Sequence, residues 1–233
     1  MERIPTIMMS NPVQRRLFLG GIAAVGLIAL PGCASFGQVS LVDAVRRLLA
    51  LSARNAFARL TEPDGFWDSA VARVNLPVLF GKRGSIVQGI LSSGPFRERL
   101  QHKLNNVAED GARRAAPVVT DAVKTIGVEN AVAILNGGPT AATTLLRDEM
   151  GPALVNAMIP ALDDALRVAN DPLVNQAISA LAGVDLGMVA HGLALEADNA
   201  IWYQIGREEA AIRADPESTN DPVLIAALKV PQA

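Results

Sequence analysis

Proline set behind aspartate or glycine cuts this chain into helix-length pieces and leaves little room for a sheet. Asp171-Pro172, Asp215-Pro216 and Asp221-Pro222 each place a carboxylate ahead of a proline, while Gly94-Pro95, Gly138-Pro139 and Gly151-Pro152 separate one run from the next. Proline at the first position of a helix gives up only an N–H that has no partner within the helix, and the aspartate before it can accept from the amides that follow. These intervals predict helices near residues 95–115, 117–126, 128–136, 139–149, 152–168, 172–182 and 186–214, with a short one at 221–229. Ahead of them Leu41, Val45, Leu48, Leu49, Ala56 and Leu60 recur at helical spacing, with Arg46, Arg47, Arg54 and Arg59 between them, until Glu62-Pro63-Asp64-Gly65 stops the run. That helix reads as core packing, with a face laid on a membrane as the alternative. From Val71 to Leu76 alternate residues are apolar. One strand has no partner, so this is read as an extended connection. The prolines at 139, 152, 160 and 172 are spaced too irregularly for a solenoid. The expected fold is all-α, an irregular array of short helices with one long C-terminal helix.

The N-terminus has a separate character. Arg3, Arg15 and Arg16 precede an apolar run from Leu17 to Leu30, fourteen residues with three glycines, and no charge follows until Asp43. A membrane-crossing helix needs roughly 20 apolar residues, and Pro31-Gly32 breaks this run short. A basic leader, a short apolar middle and a small-residue exit make an export signal, removed before the protein works. Leu30-Pro31-Gly32-Cys33 resembles the lipobox of bacterial lipoproteins, which implies that Cys33 becomes the acylated first residue; it is also the single cysteine of the chain. Arg15-Arg16-Leu17-Phe18-Leu19 resembles the twin-arginine export motif, with an ordinary secretory signal as the alternative. The organisation expected is a signal peptide at 1–32, a lipid-anchored linker at 33–40 and a single helical domain at 41–233. Seven linker residues, Ala34 to Ser40, reach roughly 25 Å when extended. Ala34 rather than aspartate after the anchor implies, by resemblance to sorted lipoproteins, the periplasmic side of the outer membrane.

Without residues 1–32 the chain keeps 201 residues, 18 basic against 22 acidic. That length suits one domain with a sizeable core. Nothing in that charge balance suggests a nucleic-acid partner, which normally demands a basic patch or stripe, and a lone cysteine excludes an internal disulfide. The expected partners are the membrane, through the anchor, and an envelope protein.

Four motifs occur in order along the chain: Pro63-Asp64-Gly65-Phe66, Ala116-Pro117 with Asp121-Ala122, Ala133-Ile134-Leu135-Asn136-Gly137-Gly138 with Ala141-Ala142-Thr143 and Arg147, and Glu208-Glu209 leading to Ala211-Ile212-Arg213-Ala214-Asp215-Pro216. On these motifs the run from Leu41 to Pro216 resembles the domain of unknown function 4197 family of bacterial envelope proteins. The resemblance implies a mostly helical exported protein and carries over no catalytic residue.

Motifs for chemistry are scarce. His102 and His191 have no second ligand at metal-binding spacing. Gly81-Lys82-Arg83-Gly84-Ser85 has the wrong order for a phosphate loop, Ser92-Ser93-Gly94 lacks a nearby histidine, and neighbours such as Asp163-Asp164 point about 100° apart on a helix. No catalytic residue, cofactor or metal is expected. Two functions remain open: a non-enzymatic helical binding or scaffold module, or an envelope hydrolase using carboxylates such as Asp198 and Glu208. In the long C-terminal helix Leu193, Ala197, Ile201, Ile205 and Ile212 trace one apolar stripe, and Glu208 falls on it. A carboxylate there is costly unless paired. Glu208 is therefore expected to be at least half buried and to meet an arginine from another helix, Arg147 first.

Overall fold

The computed structural model describes residues 33–75, 94–168, 172 and 186–229, with backbone alone for residues 33–40 and Val168. The expected signal peptide with Arg15 and Arg16, the expected helix at 172–182 apart from its first residue, and the Gly81–Ser85 segment lie outside these residues. The described chain is all-α: α1 (Cys33–Leu60), α2 (Gly94–Thr125), α3 (Ala131–Leu135), α4 (Ala141–Met150), α5 (Ala153–Val168), α6 (Leu186–Ala214), a 3₁₀ turn (Pro216–Thr219) and α7 (Pro222–Lys229). The long C-terminal helix is present, and α1 and α2 reach comparable length, 28 and 32 residues against 29. Among the described residues no helix is long and apolar enough to cross a membrane.

The first stripe buries as its spacing requires: Val45, Leu48, Leu49, Ala56 and Leu60 are all at most 1 % exposed. α1 begins at Cys33, eight residues ahead of Leu41, so the segment expected as an extended linker lies within the helix. At the other end the Thr61 hydroxyl donates to the Phe57 carbonyl at 2.7 Å, and the chain turns through Asp64 at φ 62°. A side chain at Gly65 would collide with the Arg59 carbonyl. The turn drives Phe66 into the core, where it is fully buried.

α2 corrects the break expected at Ala116-Pro117. Leu100, Leu104, Ala108, Ala112, Ala115, Val119 and Val123 form one buried stripe through Pro117, which is itself exposed. Proline inside a helix costs about 3 kcal/mol through a lost hydrogen bond and a ring clash. Continuous burial of that stripe on both sides of the proline outweighs the cost, so one helix forms instead of two. Small residues set the spacing to α5, since a Cβ at Gly111 would stand 2.8 Å from Leu162 Cδ2. α6 is the central element, packed on α1, α2, α4 and α5. Asp221 Oδ1 accepts from the Val223 and Leu224 amides at 2.9 and 3.3 Å and so caps α7, whereas Asp215 makes no such bond and is followed only by the 3₁₀ turn.

The stretch expected as an extended connection contains neither helix nor strand at residues 73–75, and Leu76 lies outside the described residues. Val74 nevertheless finds a partner. The buried Asn105 side chain accepts from its N–H at 2.8 Å and donates to its carbonyl at 3.2 Å, as a neighbouring strand would.

Candidate functional site

Helix α6 carries the densest set of buried charges, and the sequence explains why they are tolerated. Glu209 is fully buried. Its carboxylate accepts from the Ala142 and Thr143 amides at 3.0 and 2.7 Å and from the Thr143 hydroxyl at 2.6 Å. The first amides of a helix have no partner within it and carry partial positive charge. Thr140, the residue at the cap position of α4, makes no side-chain cap bond, so a glutamate from another helix takes the role.

Arg213, one turn later on α6, donates to Glu209 at 2.8 Å and to the Leu135 and Ile134 carbonyls at 2.8 and 2.9 Å. Those carbonyls end α3. One ion pair on α6 therefore satisfies the end of one helix and the start of the next across Asn136-Gly137-Gly138-Pro139. The turn is tight: a Cβ at Gly137 would stand 2.7 Å from that of Ala141. The segments around 133–143 and 208–216, recognised in the sequence as separate motifs, thus meet in space. A Glu and an Arg four apart were visible there; that they clamp two helix ends was not.

The expected Glu208–Arg147 pair is not formed. Glu208 is 9 % exposed, forms an ion pair with Arg59, whose Nε lies 2.9 Å away, and accepts from Gln204 Nε2 at 2.8 Å. Arg147 instead donates to Asn199 Oδ1 at 2.7 Å and lies 3.5 Å from Asp198 Oδ2. The reason is position: residues 198 and 208 are separated by about 15 Å of helix axis, and α4 has its start against Gly206 and Glu209, so that Arg147, further along α4, meets residues 198 and 199, while Arg59 at the end of α1 meets Glu208. Asp198 is 8 % exposed and accepts from Trp202 Nε1 at 2.9 Å. Burial pushes its carboxyl above the ordinary range, against the opposing pull of Trp202 and Arg147. Beside it an open groove of about 830 Å³ runs between α4 and α6, edged by Arg147, Arg207 and the exposed Tyr203.

A second buried acid stands elsewhere. Glu109 on α2 is 3 % exposed, and its Oε1 has no hydrogen-bond partner. Burial raises its pKa; the Phe66 amide and Arg113, whose Nη2 is 3.7 Å from Oε2, only partly offset this. Above it Asp64 meets His102 Nε2 at 2.6 Å, His102 packs edge-on to Trp67, and Arg73 lies 4.4 Å from the Trp67 ring centre. His191 is exposed, and no group of three or more metal-binding side chains occurs among the described residues. Asp163 accepts from Arg167 at 2.8 Å through Oδ2, but it is partly buried and its Oδ1 has no hydrogen-bond partner, so it does not lie on a fully solvated face. Cys33 is the first residue of α1.

No curated protein and no solved structure matches the chain. A family model described as "Protein of unknown function (DUF4197)" matches residues 35–228, which include the Pro-Asp-Gly-Phe turn, the α3–α4 junction and the α6 ion pair that closes it. The chain belongs to that family.

Proposed function

We propose that the protein is a lipid-anchored component of the bacterial cell envelope, held on the periplasmic side of the outer membrane through Cys33, and that it works by binding rather than by catalysis. The observation that carries the second half is the state of the acids on α6. Asp198, Glu208 and Glu209 are each buried against an arginine and at least one further donor. Paired catalytic carboxylates stand at most about 9.5 Å apart, whereas Asp198 and Glu208 sit ten residues apart on one continuous helix, about 15 Å along its axis. This weighs against the hydrolase reading. The anchor rests on Leu30-Pro31-Gly32-Cys33 and the absence of any other cysteine.

Cell fractionation tests the anchor. The parent chain sediments with membranes, and Cys33→Ala releases it to the soluble fraction; a Cys33→Ala protein that stays wholly with membranes after a high-salt wash overturns the lipid anchor. Export is tested by replacing Arg15 and Arg16 together with lysine, which keeps the leader's charge. Cytoplasmic precursor supports the twin-arginine route, and normal processing removes it while leaving the anchor untouched.

A further inference from the structure

A groove of about 570 Å³ lies where α1, α2 and the start of α7 meet, within the roughly 300–1,000 Å³ range of small-molecule sites. Its floor is apolar and belongs to the core: Phe57, Val123 and Leu224 are 7 %, 3 % and 1 % exposed. Three cations line it, Arg47, Arg54 and Lys124, with Asp221 as the sole acid among its lining residues. These charges are not equivalent. Arg47 is held by Asp43 at 2.6 Å and by Asp221 at 3.0 Å, and Lys124 by Asp121 at 2.9 Å. Asp221 uses its other oxygen to cap α7. Arg54 is exposed and makes no hydrogen bond or ion pair among the described residues. The groove thus offers an apolar trough and lacks one negative charge at one place.

We propose that this groove binds a long-chain fatty acid, its acyl chain along Phe57, Val123 and Leu224 and its carboxylate on the Arg54 guanidinium. One unpaired guanidinium presents a two-pronged donor that matches one carboxylate. A neutral lipid leaves Arg54 unanswered. The site does not depend on the anchor, because α1 separates residues 33 and 54 by about 31 Å of helix axis.

The test uses the full-length chain carrying Cys33→Ser and the fluorescent fatty acid cis-parinaric acid, with its methyl ester as the uncharged counterpart. The acid is expected to bind saturably at one per chain, to be displaced by palmitate, and to bind at least tenfold more tightly than the ester. Arg54→Gln, at an exposed position, weakens the acid at least tenfold and the ester less than twofold. Ala50→Trp, also exposed and on the groove wall, blocks both. Non-saturable binding, equal affinity for acid and ester, or an acid affinity unchanged by Arg54→Gln overturns the proposal. So does displacement by lysophosphatidylglycerol at concentrations tenfold below palmitate, which assigns the groove to a phospholipid headgroup instead.

Discussion

Two glutamates, Glu209 on α6 and Glu109 on α2, are buried almost equally, at 0 % and 3 % exposure, and live in opposite circumstances. Glu209 has two backbone amides, a hydroxyl and a guanidinium bonded to its oxygens. Glu109 has one oxygen with no bond at all and an arginine at the limit of pairing distance. Burial costs a carboxylate the same solvation in either place, so what separates them is the number of fixed donors that replace water. A helix start supplies such donors ready oriented, while the middle of α2, whose amides are used within the helix, supplies none.

The sharpest way to break this comparison is Glu209→Ala. It strands Arg213 and uncovers the start of α4, and removing one partner of a buried pair typically costs about 3–5 kcal/mol. At roughly 2–4 °C per kcal/mol for a chain of this size, thermal unfolding should drop by on the order of 10 °C. Arg213→Ala should cost a similar amount, and the double variant clearly less than the sum. Additive losses, measured by calorimetry, would mean that the two side chains act separately.

A smaller loss, about 1 kcal/mol, is expected for Glu208→Ala. Its partner Arg59 is 70 % exposed and regains water when the acid is gone. A loss near that of Glu209→Ala would place the two acids in one class and defeat the distinction between fixed and mobile donors.

The smallest effect has the opposite sign. Because burial raises the Glu109 pKa above its ordinary 4.5, the folded chain holds that proton to higher pH than the unfolded chain does. Stability contributed by this group is therefore greatest at low pH and declines as pH rises from about 4.5 through the folded value. Glu109→Gln removes the decline, so the variant should melt above the parent at pH 7 and converge with it below about pH 4. A variant that melts lower at pH 7 would show that Arg113 stabilises the ionised form after all.

Much of this was legible in the sequence, for identifiable reasons. Periodicity located the stripes of α1 and α6, and the Asp221-Pro222 pair marked the start of α7, because both signals are local. The stripe also placed Glu208 inward. It could not choose between Arg59 and Arg147, since that depends on which turn of α6 each neighbouring helix crosses. Pro117 misled for the same reason: its local cost is visible in the sequence, whereas the continuous burial that outweighs it is not. Asn105, between the buried Leu104 and Ala108, carried no sign of the backbone it would bond 31 residues earlier.

The clamp at Glu209 also sets an order of events during synthesis. The amide of Ala142 leaves the ribosome 67 residues before the carboxylate that satisfies it. At about 5–20 residues per second that is roughly 3–13 s, during which the start of α4 and the end of α3 must borrow water. The nascent chain can hold its earlier helices together, but the junction between α3 and α4 closes only when α6 arrives. A chain stalled or truncated before residue 209 is thus left with an open seam in its middle, far from the point of interruption.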